Sequence, residues 1–449
     1  MLTVLTLLLL VCFLAHWAAV RRALAKRVPS AAGDAEAYAW HVFVPCRDEE
    51  AVVASTVSRL RDTFPPAHVW VIDDDSDDLT GRVSTALATR DSRIHVVARR
   101  RPHARQGKGA ALNAAYEALG RFLPEGTDRS RVIVAVVDAD GQLAPEALTV
   151  VAAPDGFGDP AIGGVQIDVR MRNVDDPLPF PSAGRARNAA GRLLVRVQDM
   201  EFRVACSGTQ ALRARSGSAG LGGNGQFTRL TALDRVAAAE RTPWQGGALL
   251  EDYELGLHLL LNGYRVTHLA DTWVSQEGLP RGRRLLTQRT RWAQGNLGCA
   301  RYAPRVVGSR HFSGAAVLET LYTFVQPLAH LLALGLAGAA AVLCARTVAA
   351  YGPGPLVEGA ASVWPLLAGV ALVSVLPFAG WGLLYRRTYA PGLRWLTGLV
   401  WGLALWLYAY HLFPASVRAL GRTLRGRGGW AKTRRNAEPA LAGPAALDH

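Results

Sequence analysis

The chain has 449 residues, of which 50% are hydrophobic, and its mean hydropathy of +0.12 is high for a soluble enzyme. A formal net charge of +14 points to nucleic acid, an anionic membrane surface or an anionic substrate, but with no basic recognition helix or zinc-knuckle spacing, nucleic acid is not an expected partner. The five cysteines, Cys12, Cys46, Cys206, Cys299 and Cys344, have no CxxC spacing, which argues against a disulfide framework or a zinc site.

Residues 2–20 are apolar apart from Thr3, Thr6 and His16, and the basic residues Arg21, Arg22, Lys26 and Arg27 come after them. A run of this length just crosses a bilayer at 1.5 Å per residue. With no charge before it, it reads as an uncleaved anchor over residues 1–22, N-terminus outside and Arg21 inside. Strands are expected at 40–44, 68–72, 94–97 and 131–137, with helices between them, the first over 49–63. That βαβα rhythm predicts an α/β domain over residues 36–300, built on a doubly wound, mostly parallel sheet. Polar residues gather at the carboxyl ends of these strands, the edge where open α/β sheets bind ligands. Three further apolar stretches follow, at 315–344 (broken by Pro327), 363–384 and 396–413, and define a membrane region over 312–416 with about three spans. Residues 417–449 read as a basic, disordered tail. With the enzyme domain inside, three spans leave that tail outside, against its charge; a re-entrant turn at Pro327 or an interfacial third stretch would remove the conflict.

The chemistry lies at the strand ends. Pro45-Cys46-Arg47-Asp48-Glu49-Glu50 ends the first strand without GxGxxG, which argues against a dinucleotide oxidoreductase. The run from Asp73 to Asp78 puts five carboxylates in six residues; it needs cations or donors nearby, or it opens a helix capped by Ser76 or Asp75. Gly107-Lys108-Gly109 opens a helix over 110–119. It is no P-loop, but its glycines allow close backbone approach and Lys108 can meet a phosphate, while the basic run at 99–105 reads as a solvated loop. Asp138-Ala139-Asp140 follows a buried strand. Carboxylates at i and i+2 there can hold Mg²⁺ or Mn²⁺, which prefer oxygen ligands and bridge to phosphates; a solvated turn is the alternative. Glu251-Asp252 starts a helix, where a carboxylate either caps the helix or stays ionised as a general base for a hydroxyl. Gln288, Arg291 and Trp292 fall at i, i+3 and i+4 on one helix face; Trp292 offers a stacking platform and Arg291 a diphosphate contact, or the segment is an interfacial helix.

In this order, the Pro-x-x-Asp-Glu-Glu segment, Val-Ile-Asp-Asp-Asp-Ser-Asp-Asp, Gly-Lys-Gly-Ala-Ala-Leu-Asn, Asp-Ala-Asp, Leu-Glu-Asp and Gln-Arg-Thr-Arg-Trp resemble the family-2 inverting glycosyltransferases over about residues 40–300. The resemblance is strongest to the membrane-integrated branch that includes cellulose, chitin and hyaluronan synthases. It implies a GT-A-type fold and a UDP-sugar donor. Donor contacts would come from Pro45, Asp48, Glu50, Asp73, Asp74, Lys108, Asp138, Asp140, Gln288, Arg291 and Trp292, with Asp73 or Asp74 at the uracil and ribose. Asp138 and Asp140 would bind the metal, and Asp252 with Glu251 would form the catalytic pair, Asp252 as base. Gly223, Asn224, Gly225, Gln226 and Trp292 would meet the acceptor, with Cys206-Ser207-Gly208-Thr209 as second choice for the acceptor segment. Two departures stand out: Leu250 where the family often has Thr, and Asp75 where many relatives have Gly. The resemblance implies a cytoplasmic catalytic domain on a cell-membrane protein that extends a β-linked glycan; single transfer to diacylglycerol or a polyprenyl phosphate is the alternative. A transporter or scaffold that merely binds nucleotide sugar is the third reading. Oligomeric state is open, a homo-oligomer included.

Overall fold

The computed structural model describes residues 2–352 and 374–426. Helix α1 (Leu2–Ala25) leads into an alternating segment: β1 (Ala39–Cys46), α2 (Val53–Thr63), β2 (His68–Asp74), α3 (Thr80–Ala88), β3 (Ile94–Arg99), α4 (Lys108–Phe122) and β4 (Val132–Val136). The predicted strands are all present. The first helix starts four residues later than expected because the amides before it are bound elsewhere: Asp48 N–H donates to Ser76, Glu49 N–H to Thr80 and Glu50 N–H to Asp78.

The second half follows a different rule. β5 (Gln142–Leu143), α5 (Ala147–Val151), β6 (Ile162–Met171), α6 (Arg185–Met200), a π-helical turn (Glu201–Cys206) and α7 (Ser207–Ala214) precede β7 (Gln226–Arg229), α8 (Leu230–Glu240), α9 (Glu251–Leu261) and β8 (Arg265–Gln276). Among the described residues one eight-stranded sheet forms, in the order β3-β2-β1-β4-β7-β6-β8-β5. The β3-β2-β1-β4 half is parallel. β7 then runs antiparallel to both its neighbours and β5 antiparallel to β8, while β6 and β8 pair in parallel. The sheet is therefore mixed, where a mostly parallel one was expected. Strand residues alternate between its two faces: Trp40, Val42 and Val44 join the core on one side, Phe43 and Trp70 the core on the other.

After the domain come α10 (Gly282–Cys299), α11 (Ala303–Val307), α12 (Gly314–Tyr351), α13 (374–389), α14 (Trp395–Ala409) and α15 (Leu412–Leu424). Gly314–Tyr351 and Trp395–Leu424 are long and apolar enough to cross a membrane. Pro327 lies inside α12 without interrupting it, so no turn occurs there. Much of the predicted stretch at 363–384 lies outside the described residues, as do 427–449. Residues 417–424, expected as tail, are helical: Ala415 and Ala419 are buried and Arg422 donates to Gln294 of α10.

A third core joins these helices to the domain. Val20 of α1, Val197 and Met200 of α6, Val204 of the π-turn, Trp381 and Tyr385 of α13 and Leu405 of α14 pack together. Polar clamps reinforce it: Tyr385 donates to Asp199 at 2.5 Å. Arg289 of α10 meets Glu201 through both terminal guanidinium nitrogens at 3.0 and 2.6 Å, and the Tyr408 hydroxyl donates to the same carboxylate at 2.8 Å.

Candidate active site

The strand ends, the π-helical turn, α9 and α10 enclose a cavity of about 440 Å³. It receives Pro45 from β1, Asp74 from β2, Lys108 from α4, Asp138 and Asp140 after β4, Asn224 before β7, Glu251 and Asp252 from α9, and Gln288, Arg291 and Trp292 from α10. Segments far apart in sequence thus converge on one space.

Glu251 and Asp252 open α9; Glu251 is buried and Asp252 half-buried. Burial pushes the Glu251 carboxyl up to about 7, with the neighbouring Asp252 charge adding to it. Asp252 is also raised, first by burial and then by Asp138, while Lys108 and Arg291 pull the other way. Burial alone would lower the Lys108 ammonium, but Asp138, Glu251 and Asp252 together hold it above its ordinary value. Lys108 therefore stays cationic, bonded to Asp138 at 2.7 Å.

Two glycines in the α4 entry serve the protein's own packing. A Cβ on Gly107 would stand 2.7 Å from the Gly246 carbonyl and one on Gly109 2.7 Å from the Gln245 carbonyl. Further along α4, Asn113 brackets Trp244, donating to its carbonyl at 2.7 Å and accepting its amide at 3.1 Å. The Gly-Lys-Gly…Asn segment thus fixes the loop that delivers Glu251 and Asp252. On the facing side Gly223, at φ +81°, has no room for a side chain: its Cβ would fall 2.7 Å from Asp252 Oδ2 and 3.2 Å from Lys108 Nζ.

The carboxylate run and the arginine run neutralise each other. Arg99 pairs with Asp74, Arg100 with Asp73, Arg101 with Asp75, and Arg105 with Asp75 and Asp77. Residues 99–105, expected as a solvated loop, supply the cations that the acidic run requires. Asp75 adopts φ +62°, the left-handed region where glycine is at ease and Asp is among the tolerated residues; this is the position where Gly is common in the resembling family.

Several predicted contacts are placed elsewhere. Asp73 is turned away from the cavity, accepting the Ser76 amide at 3.0 Å; Asp74 lines the cavity. Asp48 and Glu50 stitch the loop after β1 to the loop after β2 by accepting the Asp77 and Leu79 amides, and their neighbours Arg47 and Glu49 line the cavity instead. Of the glycine-rich segment, Asn224 lines the cavity, whereas Gly225 packs on Val274 and Ile167 and Gln226 is buried within β7. Cys206 and Ser207 of the second-choice segment line it as well, while Gly208 packs on Val20.

Asn296, also lining, lies one helical turn beyond Trp292 and was legible from spacing. Gln166, Asp168, His268 and Glu277 line the cavity without belonging to any local motif; strand register brings them there, and short-range sequence carries no signal of it.

Asp138 and Asp140 suit a hard divalent cation. Both line the cavity, and Asp140 is positioned by the Glu277 amide on its Oδ2 at 3.1 Å. Among the described residues no three His, Cys, Asp or Glu side chains gather as a closed metal cage. A pair of protein carboxylates is the donor set typical of Mg²⁺ sites that take their remaining ligands from water and substrate phosphates.

The profile of the family described as "Glycosyltransferase like family 2" matches residues 39–295. The chain is 30% identical over 257 residues to the beta-monoglucosyldiacylglycerol synthase of Trichormus variabilis, covering 57% of this chain and 48% of that protein. It is 34% identical over 124 residues to the polyprenol monophosphomannose synthase of Mycolicibacterium smegmatis, covering 27% of this chain and 43% of that protein. The chain spans about half the length of the curated relatives it matches. Among solved structures, the mannosyltransferase PcManGT of Pyrobaculum calidifontis, in complex with GDP-Man and Mn²⁺, superposes with a TM-score of 0.55 at 18% identity, over 95% of this chain and 97% of that one.

Proposed function

This chain is a member of glycosyltransferase family 2, and from that premise we propose that it makes a single sugar transfer from a nucleotide-diphosphate sugar, a UDP-sugar in the first instance, to a lipid acceptor at a membrane, with inversion at the anomeric carbon. The observation that carries the reading is the convergence of Asp138 and Asp140, Lys108, the Glu251–Asp252 pair and the Gln288–Arg291–Trp292 face on one cavity. The named relatives that act on diacylglycerol and polyprenol favour the lipid acceptor over the chain-extending synthase expected from the cellulose-synthase resemblance.

In this reading Asp74 meets the nucleoside. Asp138 and Asp140 would hold the divalent ion, which supplies charge neutralisation at the leaving diphosphate. Lys108 and Arg291 add positive charge close by, worth more in a site that excludes water than in bulk. Asp252 takes the proton from the acceptor hydroxyl as the new bond forms opposite the leaving group. Glu251, with its raised pKa, is the protonated partner that spares the site a second adjacent negative charge. Trp292 stacks under the Arg289 guanidinium, 4.3 Å from ring centroid, and presents its ring to sugar or acceptor. The two apolar helices and α1 anchor the enzyme in the cell membrane, with the catalytic domain on the cytoplasmic side.

The test is radiolabel transfer in membranes carrying the full chain, across UDP-sugars and GDP-mannose, with Mg²⁺, Mn²⁺ or EDTA. Label in the lipid extract that depends on the metal is the expected result. Label in a lipid-insoluble polymer would restore the chain-extending reading.

A further inference from the structure

Beyond the catalytic pair the cavity has a second polar pole. Gln166 accepts the Gly222 amide at 2.8 Å, and Gly222 adjoins Gly223, which faces Asp252. Two residues further along β6 stands Asp168, about 6–7 Å on by strand rise. His268 of β8 lies opposite Gln166 in the parallel pairing, and beyond Ile167 the register jumps from Leu269 to Trp273. That irregularity re-aims the strands where the two side chains meet. His268 Nε2 is 3.1 Å from Asp168 Oδ1, both side chains being 3% exposed, and both line the cavity. His268 Nδ1 and the Ser207 hydroxyl, another lining group, are buried and make no hydrogen bond to the described residues. Buried polar atoms of this kind are normally matched: with Nε2–H given to Asp168, His268 Nδ1 can accept from a hydroxyl, and the Ser207 hydroxyl can donate to an ester oxygen.

The charge around this pole selects the ligand. The lysine and arginines among the described lining residues are Arg47, Lys108 and Arg291. Lys108 is bound to Asp138, Arg291 acts on Glu251 and Asp252, and Arg47 follows β1 at the strand edge. Of the cations behind the pole, Arg170 lays its guanidinium on the Trp273 ring, 3.4 Å from the centroid, and Arg203 lays its own on Tyr389, 3.5 Å away. His268 is committed to Asp168. A phosphate here would face a carboxylate with no lysine or arginine at hand in the lining, whereas an uncharged alcohol can both donate and accept. Phe202, Cys206 and Leu279 form apolar wall nearby, and the π-turn that carries Phe202 is clamped to α14 through Glu201 and Tyr408.

Resting on the lipid-acceptor reading, we propose that the Asp168–His268 pair, with Ser207, is an acceptor subsite for a neutral glyceride head group: its hydroxyl faces Asp252, a neighbouring ester oxygen accepts from the Ser207 hydroxyl, and the Asp168–His268 pair walls the pole against a phosphate. The substrate class is then an uncharged glycerolipid alcohol and not a polyprenyl phosphate.

The experiment offers the full-length enzyme 1,2-dioleoylglycerol, octadecanol or undecaprenyl phosphate in phosphatidylcholine vesicles, with the donor found above. Dioleoylglycerol is expected to be used at least about 10-fold more efficiently than either of the others. Ser207→Ala and His268→Gln are expected to raise the KM for dioleoylglycerol about 10-fold while leaving donor Kd unchanged. A preference for undecaprenyl phosphate, equal use of octadecanol, or a dioleoylglycerol KM unchanged in both variants overturns the subsite. Should the variants fail to fold, seen as lost donor binding, the wild-type ranking of the three acceptors decides. Transfer to undecaprenyl phosphate would leave the lipid-acceptor reading standing and remove this inference; polymer as the product would remove both.

Discussion

At the scale of single residues, Asp252 carries the sharpest consequences. Asp252→Asn keeps the shape of the α9 entry but removes the base, so donor Kd should stay within about twofold while transfer falls by 10²–10⁴, the usual contribution of a general base. Parallel loss of donor binding would reassign Asp252 to the donor. The same residue fixes the pH dependence. It must be ionised to accept a proton, and burial raises its carboxyl, so kcat/KM should fall on acidification at a pH above the ordinary carboxylate value of about 4. Glu251, pushed up to about 7, takes the first proton of the pair. The acid limb should therefore lie between about pH 4 and 7; a rate that stays flat down to pH 4 would count against Asp252. Asp75 offers a test of conformation. Its positive φ costs an L-residue about 1–2 kcal/mol. Asp75→Val should lower stability by roughly that amount or more, because β-branched residues fit the left-handed region badly. Asp75→Gly should stay within about 1 kcal/mol of wild type, relief of strain offsetting the partly exposed pairs with Arg101 and Arg105. Thermal unfolding of the detergent-extracted protein distinguishes the two.

At the scale of elements, α4 shows how a motif with one expected role can have another. Gly109 lets the helix entry approach the Gln245 carbonyl and Glu251 Cβ, which would lie 2.7 and 3.2 Å from a methyl group. The obstacle is backbone, so Gly109→Ala should displace the start of α9 and cut kcat about tenfold or more. Gly120→Ala, in the same helix with nothing within 4 Å, should be neutral or stabilise by up to about 1 kcal/mol. Equal effects of the two substitutions would show that the packing at Gly109 is unimportant. The strands and helices of the first half were legible because each is specified locally, by a β-branched run and the polar cluster that ends it. The role of the arginine run was hidden: Arg99 to Arg105 face Asp73 to Asp77 only after β2 and β3 pair. That Asp48 and Glu50 accept backbone amides and their neighbours line the cavity was hidden for a similar reason, since the resembling motif marks the segment and not which way each carboxylate turns.

At the scale of the whole molecule, the parallel half of the sheet follows from the alternation of elements, but the mixed half does not. β7 is four residues long, and its antiparallel pairing with β4 and β6 joins residues separated by scores of positions. No hydrophobic period announces such a pairing. The same holds for the core between α1, α6, α13 and α14: each apolar run was visible, but what it packs against was not.

That core also bears on where the enzyme can be cut. A soluble fragment ending near residue 300 would remove the phenols of Tyr385 and Tyr408 from Asp199 and Glu201, and strip Trp381 and Leu405 from Val197 and Met200. Each large apolar side chain uncovered in this way forfeits about 1.5–3 kcal/mol of burial, and several together are comparable with the whole margin of an ordinary domain. The fragment should therefore melt well below the full chain or aggregate, as differential scanning fluorimetry of the two would reveal. The catalytic part and its apolar helices are welded along one seam, so what looks in sequence like an enzyme with a detachable tether is a single folding unit, and purification strategies that discard the tether discard part of the enzyme.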